Sequence, residues 1–213
     1  MWYVIKTEPG ACIYSGFAQE ITPYELRQRI ADGSLTDVIA RHEAQPGDVF
    51  FIPAGRIHAI GKGILLAEVQ QSSDLTYRIF DYNHLDSAGE KRPLHLEAAE
   101  RALDFDATPP YRIDYHEEPN QVNVLLETPY FVFSTLPLTQ PLCYMPPSGE
   151  NECVVFVALE GSVSVRDCSG YEVELPCGHT LLFPADCLPA YITPRQKARL
   201  AAITISNTPP SDL

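Results

Sequence analysis

The sequence predicts an all-β protein made of two related β units with a few short helices, and two observations carry that expectation. Proline (19) and glycine (12) punctuate all 213 residues, and most segments between them are short and rich in Val, Ile, Leu, Phe and Tyr. That is the pattern of a β-sandwich or barrel. The second observation is an internal repeat. Gly47-Asp48-Val49-Phe50-Phe51-Ile52-Pro53-Ala54 aligns with Gly178-His179-Thr180-Leu181-Leu182-Phe183-Pro184-Ala185, 131 positions further on. In each copy glycine permits a turn, bulky apolar residues run up a buried strand, and proline ends it.

The elements follow in order. Residues 1–5 read as a strand that starts without a turn or cap in front of it. Thr22-Pro23-Tyr24-Glu25 reads as a helix start, with Thr as N-cap, Pro at the first helical position and Glu completing a capping box. Gly33 is its stop, and residues 35–41 read as a second short helix. Residues 47–80 read as consecutive strands, followed by a turn at Ser87-Ala88-Gly89 and a helix over 96–103. Pro109-Pro110 then links to a second β-rich region, roughly 111–206, and the last six residues read as a frayed tail.

Composition limits function. Fifteen Lys and Arg against 28 Asp and Glu give a net charge of −13, a field that repels polyanions and excludes nucleic acid and anionic membranes as partners. No apolar run approaches the ~18–20 residues of a membrane span. The opening Met1-Trp2-Tyr3-Val4-Ile5-Lys6 lacks the basic and apolar regions of a secretory signal, so a soluble cytoplasmic protein is expected. The six cysteines, Cys12, Cys143, Cys153, Cys168, Cys177 and Cys187, show no C-x-x-C spacing. A zinc knuckle is therefore unsupported, and small buried thiols are expected instead.

One histidine stands in a defined spacing: Gly47, five residues, Pro53, one residue, Gly55, two residues, His58. A lone strand histidine is ordinarily a satisfied core or rim residue. This spacing, however, resembles the second sequence motif of the cupin barrels, and the resemblance implies a histidine that points into the barrel and binds a divalent metal through a neutral imidazole. It also implies a double cupin, two jelly-roll-like barrels of which the first is incomplete, divided at 1–108 and 109–213. In the second copy Asp186 replaces the glycine and Pro189 the histidine. Proline cannot bind a metal, so any site is expected in the first unit.

The stretch PGDVFFIPAGRIHAIGKGILLAEVQQSSDLTYRIFDYNH, residues 46–84, narrows the resemblance. Its Pro53-Ala54-Gly55 with His58-Ala59, its Gln71-Ser72-Ser73-Asp74 and its Tyr77-Arg78 with Asp81 are similar to the short bacterial form of class I mannose-6-phosphate isomerase. The likeness runs over about the first 105 residues and more loosely beyond. Ser72 stands where that family usually has Asn, and Phe80 where it has Tyr. The family's zinc site also takes a histidine in a Gln-Val-His-Pro segment and a glutamate just before Met-Trp-Tyr-Val, whereas here the sequence opens at that methionine. Of those protein ligands only His58 is present, and three ligands are needed for a catalytic zinc site. His42, His84 and His95 fall on segments read as loop or helix. Three explanations stand: a fragment or mis-called start, a natural truncation that kept a binding role, or a protein completed by another chain.

The resemblance implies interconversion of mannose 6-phosphate and fructose 6-phosphate through an enediolate, with a metal stabilising the developing oxyanion. His58 is the metal ligand, zinc the implied ion. Arg78 is the catalytic cation, stabilising the enediolate or holding phosphate, unless it is tied to Asp74 or Asp81. Glu68 and Asp74 are pocket acids or supports for pocket residues. Lys62, between Gly61 and Gly63, is either a phosphate contact or a solvated turn lysine. The Arg195-Gln196-Lys197-Ala198-Arg199 run is a surface cluster. Two other classes share part of the pattern: a non-catalytic cupin module that binds a sugar phosphate or a partner protein, and a cupin oxygenase, which leaves the Gln71 to Asp74 and Tyr77-Arg78 runs unexplained.

Overall fold

The computed structural model describes residues 1–73, 75–81, 89–90, 92–107, 109–147 and 152–205. The chain divides into two compact units, Met1–Ile113 and Asp114–Leu213. The division falls at 113/114 rather than 108/109, because the two residues after the Pro109-Pro110-Tyr111 link still pair with the first unit's sheet.

In the first unit the strands are β1 (Trp2–Thr7), β2 (Cys12–Phe17), β3 (Ile39–Glu43), β4 (Val49–Phe50), β5 (His58–Ile60), β6 (Ile64–Glu68) and β7 (Arg112–Ile113), with helices α1 (Pro23–Asp32) and α2 (Leu96–Ala102). They form two antiparallel sheets, ordered β6-β1-β4-β7 and β3-β2-β5. Trp2, Val4 and Phe50 of the first sheet and Ile13 of the second share one buried cluster, extended by Ile64 and Leu66. A second cluster joins Phe17 to Leu26 of α1, to Leu35 and Val38, and to Ile57 just before β5.

Local chemistry explains α1. Thr22 is extended and its side chain accepts from the Glu25 amide at 3.2 Å, Pro23 opens the helix, and Gly33 ends it at φ +80°. The expected second helix does not form. Residues Leu35–Val38 make one 3-10 turn, and the chain then enters β3, which pairs with β2 from Ile39 to Glu43. Ile39 is β-branched, and the segment it opens gains more from that pairing than from a marginal helix. Residues 47–80 hold three short strands rather than a continuous run, and residues 69–73 and 75–80 are irregular. His42 lies within β3, and His95 caps α2. His84, Ser87, Ala88 and the terminal segment lie outside the described residues.

The second unit has β8 (Asn123–Glu127), β9 (Phe131–Leu138), β10 (Leu142–Tyr144), β11 (Val154–Glu160), β12 (Val163–Arg166), β13 (Glu172–Leu175), β14 (Thr180–Phe183), β15 (Ala190–Pro194) and β16 (Ala198–Ile205). Its sheets are ordered β14-β11-β16-β9-β8 and β10-β15-β12-β13. Phe156, Ala158, Leu200 and Ala202 from one sheet and Tyr144, Val163, Val165 and Ile192 from the other pack in one cluster. The cationic run is paired: Arg195 with Glu174, Lys197 with Glu160 and Arg199 with Glu117. The expectation of buried thiols fails here, because Cys143, Cys168 and Cys177 are exposed and the other three cysteines half-buried. Cys168 and Cys177 lie in turns rather than on inward strand faces. No helix of the described residues is long and apolar enough to cross a membrane.

The repeat seen in the sequence is a repeat of hydrogen bonds. Gly47 takes φ +94° and donates to the Val4 carbonyl, while Val4 donates to Asp48 and Asp48 closes a turn onto Gln45. Gly178 takes φ +80° and donates to Ala158, Ala158 donates to His179, and His179 closes onto Pro176. After each proline the turn closes the same way, Arg56 amide to Pro53 carbonyl and Cys187 amide to Pro184 carbonyl, both at 3.2 Å. A register shift follows Val4 opposite β6 and Ala158 opposite β16. The frame β6-β1-β4 thus recurs as β16-β11-β14.

Candidate functional site

In the first unit the frame ends at an open cleft of about 610 Å³, lined among others by Trp2, Ile52, His58, Glu68, Tyr77 and Arg78. That volume lies in the range of small-molecule sites. Each polar side chain reaches it for a local reason. On β6, Ile64 and Leu66 pack into the core, and strand alternation puts Glu68 on that same inner face one step beyond them. Glu68 pairs with Trp2 across the ladder and is solvent-exposed. The core row therefore ends in a carboxylate.

His58 enters from the facing sheet. It opens β5 opposite Ser15 of β2, two residues past the turn that Arg56 closes. Its Nδ1 lies 2.7 Å from the Arg56 carbonyl oxygen. A carbonyl only accepts, so in the neutral ring Nδ1 carries the proton and Nε2 the lone pair. The Trp2 ring meets the imidazole edge-on, with centroids 5.4 Å apart and planes at 71°. A carbonyl and an indole thus fix the ring, the arrangement that suits an imidazole to ligate through Nε2. Gly55 makes this turn possible, at φ +84° with its Cα facing the Ala102 carbonyl at the end of α2.

Arg78 comes from the irregular segment after β6. Its amide donates to His95 Nδ1 at 3.2 Å and its carbonyl accepts from the His95 amide at 2.8 Å. This clamps the segment to the start of α2. Asp81, one expected partner, pairs with Arg92 instead. Among the described residues no carboxylate engages the half-buried Arg78 guanidinium, which lines the cleft. Asp74 lies outside the described residues. Lys62 is exposed in the turn before β6, whose own span from Ile64 to Glu68 is about 13 Å, and it does not line the cleft.

His58 fits one position of a metal site. Among the described residues no three His, Cys, Asp or Glu side chains converge to hold an ion, so they do not complete the three-ligand set that a catalytic zinc requires.

Comparison with known proteins places this geometry. No family model matches the chain. A mannose-6-phosphate isomerase of Bacillus subtilis (strain 168) is 37% identical over 132 residues, which are 61% of this chain and 42% of the relative. One from Streptococcus mutans is 39% identical over 134 residues, 61% of this chain and 41% of the relative. The crystal structure of the mannose 6-phosphate isomerase from Bacillus subtilis superposes with a TM-score of 0.82 at 27% identity, over 95% of this chain and 63% of that one. Over about three fifths of its length the chain is thus similar in sequence to mannose-6-phosphate isomerases, and it shares the fold of the Bacillus subtilis one. It spans about two fifths of the length of the curated relatives it matches.

Set within the mannose-6-phosphate isomerase fold, the second unit keeps the frame without the polar groups. Pro189 stands at the position of His58. Phe156 pairs with Ala202 as Trp2 pairs with Glu68, so a buried alanine replaces the carboxylate. Tyr144 and Phe156 meet edge-on at 5.1 Å in the core. Sequence reasoning missed Trp2, Arg56 and Tyr77 in the cleft wall. For Trp2 a signal existed, since alternation places it on one face with Val4. The Arg56 carbonyl had none, because backbone contacts leave no mark in residue identity.

Proposed function

We propose that the chain carries the sugar-phosphate site of a mannose-6-phosphate isomerase, interconverting mannose 6-phosphate and fructose 6-phosphate by proton transfer between adjacent carbons. One observation supports this above the others. His58, Glu68 and Arg78, from β5, β6 and the segment after it, line one cleft whose imidazole is held in a single tautomer.

The roles follow from chemistry. Isomerisation removes a weakly acidic C–H and places negative charge on oxygen. Arg78, permanently cationic and without a carboxylate partner among the described residues, offers up to five donors to that oxygen or to the phosphate. Glu68, an accessible carboxylate at the cleft wall, is the group suited to carry the proton between carbons. Tyr77, exposed at the cleft wall, offers a flat apolar face to a sugar ring. Asp74 belongs to the same run as Arg78 and is a further acid for the site. Lys62 is a surface lysine in this reading. Zinc is the metal we assign to the whole enzyme, with His58 Nε2 as one ligand. The described residues do not complete its shell, and no step here is routed through it. A phosphorylated sugar as substrate fits a cytoplasmic protein.

The incomplete metal set favours a second reading of this chain by itself, a module that binds a sugar phosphate without turning it over. Calorimetric titration with mannose 6-phosphate, together with a coupled assay for fructose 6-phosphate, separates the two. Turnover that is lost in Arg78→Ala and in Glu68→Gln establishes the isomerase. Binding that Arg78→Ala weakens, without turnover, establishes the module. Absence of both overturns the assignment of the cleft.

A further inference from the structure

The turn that fixes His58 in the first unit carries a thiol in the second. Cys187 is the counterpart of Arg56: its amide closes the turn onto Pro184 as Arg56 closes onto Pro53. Its carbonyl accepts from the amide of Cys168 at 3.2 Å, where the Arg56 carbonyl accepts from His58. Cys168 sits in the hairpin between β12 and β13, held by Asp167, whose carboxylate accepts from the amides of Ser169 and Tyr171. The Cys168 thiol faces the same turn, with Sγ 3.7 Å from the Asp186 carbonyl oxygen. With N···O at 3.2 Å, standard backbone dimensions keep the two Cα atoms within about 7 Å of each other, at the reach of a disulfide, for which the window is roughly 4.4–6.8 Å.

The other exposed thiols stand further off. Cys143 pairs with Tyr191, which pairs with Arg166, so it lies two strands or about 9.6 Å from the β12 row. Cys177 follows β13 at the Val163 end of the hairpin, whereas Cys168 follows β12 at the Arg166 end. About 10 Å of strand separates those ends.

We propose that Cys168 and Cys187 are an oxidisable thiol pair that closes to a disulfide with a hydroperoxide. Cys168 is exposed and Cys187 half-buried. Burial, with the carboxylates of Asp186 and Asp167, pushes the Cys187 thiol up, which makes Cys168 the attacking group. Its thiolate attacks one peroxide oxygen, the O–O bond breaks, and water leaves after protonation, giving a sulfenic acid on Cys168. The Cys187 sulfur attacks that sulfur, the S–O bond breaks and a second water leaves. Two thiols lose two electrons and two protons, and one hydrogen peroxide becomes two waters. A dithiol reductant reverses the bond.

The test treats the full chain with hydrogen peroxide under native conditions, blocks the remaining thiols and maps the peptides by mass spectrometry. A peptide pair linked through positions 168 and 187 is expected, two hydrogens lighter than the reduced pair and released by dithiothreitol. Cys187→Ser abolishes the link and leaves a sulfenic acid on Cys168 that dimedone traps. Cys168→Ser abolishes both products. A Cys143→Ser/Cys177→Ser double variant keeps the link. Peroxide that over-oxidises Cys168 without linking it, a bridge through Cys153, Cys143 or Cys177 instead, or no reaction at either thiol overturns the proposal.

Discussion

Gly55→Ala tests whether the turn behind His58 is held as described. Alanine at φ +84° carries a left-handed backbone penalty of about 1–2 kcal/mol. Its Cβ would lie 2.8 Å from the Ala102 carbonyl oxygen and 3.2 Å from the Asp104 nitrogen, both backbone atoms that cannot rotate away. Overpacking of that kind costs about 1–3 kcal/mol. Retreat of the turn would lengthen the 2.9 Å bond from the Asp104 amide to the Gly55 carbonyl, worth about 1 kcal/mol. The expected loss is therefore about 2–5 kcal/mol, confined to the first unit. Gly33→Ala supplies the control. It takes φ +80° but meets nothing within 4 Å, so it carries the backbone penalty alone. The assay is urea unfolding followed by Trp2, the sole tryptophan of the chain, which is 3% exposed and belongs to the first unit. With a slope of about 2 kcal/mol per molar urea, Gly55→Ala should shift the midpoint by roughly 1–2.5 M and clearly more than Gly33→Ala. Equal shifts for the two variants, or a loss under about 0.5 kcal/mol for Gly55→Ala, would refute the contact with α2.

Other expectations follow from single contacts. Arg78→Ala should weaken mannose 6-phosphate binding by about 10–100-fold, the ~1.5–3 kcal/mol of a charged hydrogen bond, with an unchanged thermal midpoint; a stability loss with intact affinity would make it structural. Thr22→Ala should cost about 1 kcal/mol through the lost N-cap, seen as an earlier Trp2 transition, and Thr22→Asn should restore it. The Ser169 hydroxyl and the neighbouring amides hold the Asp167 carboxyl below its ordinary range. Its stabilising effect is thus present above the unfolded value of about 3.9 and lost as pH falls through the native value. The gap in thermal midpoint between the native chain and Asp167→Asn, followed in the second unit by amide exchange, should close as pH is lowered from neutral through that window; a gap that persists in acid would argue against the carboxylate.

How much was legible depended on distance along the chain. The caps of α1 are contacts within three residues, and Thr22, Pro23 and Gly33 state them directly. Ile39 to Arg41 were misread because their strand exists only through pairing with β2, some twenty-five residues earlier. His58 could be placed by spacing, and Arg78 by its run. Their meeting with Glu68 and Trp2 required the register of two sheets, which no local pattern encodes. The thiols at 168 and 187 were read as buried for the same reason, since their exposure is set by turns whose residues resemble those of strand ends.

The duplicated frame has one more consequence. In the second unit an apolar cluster spans both sheets, with Ala202 buried where the first unit has the solvent-exposed Glu68. The inner row of β6 thus gives up an apolar contact that its counterpart on β16 keeps at Ala202. Warming should therefore open the first unit before the second, with amide exchange in β1, β4 and β6 outrunning that in β11, β14 and β16 as the temperature rises.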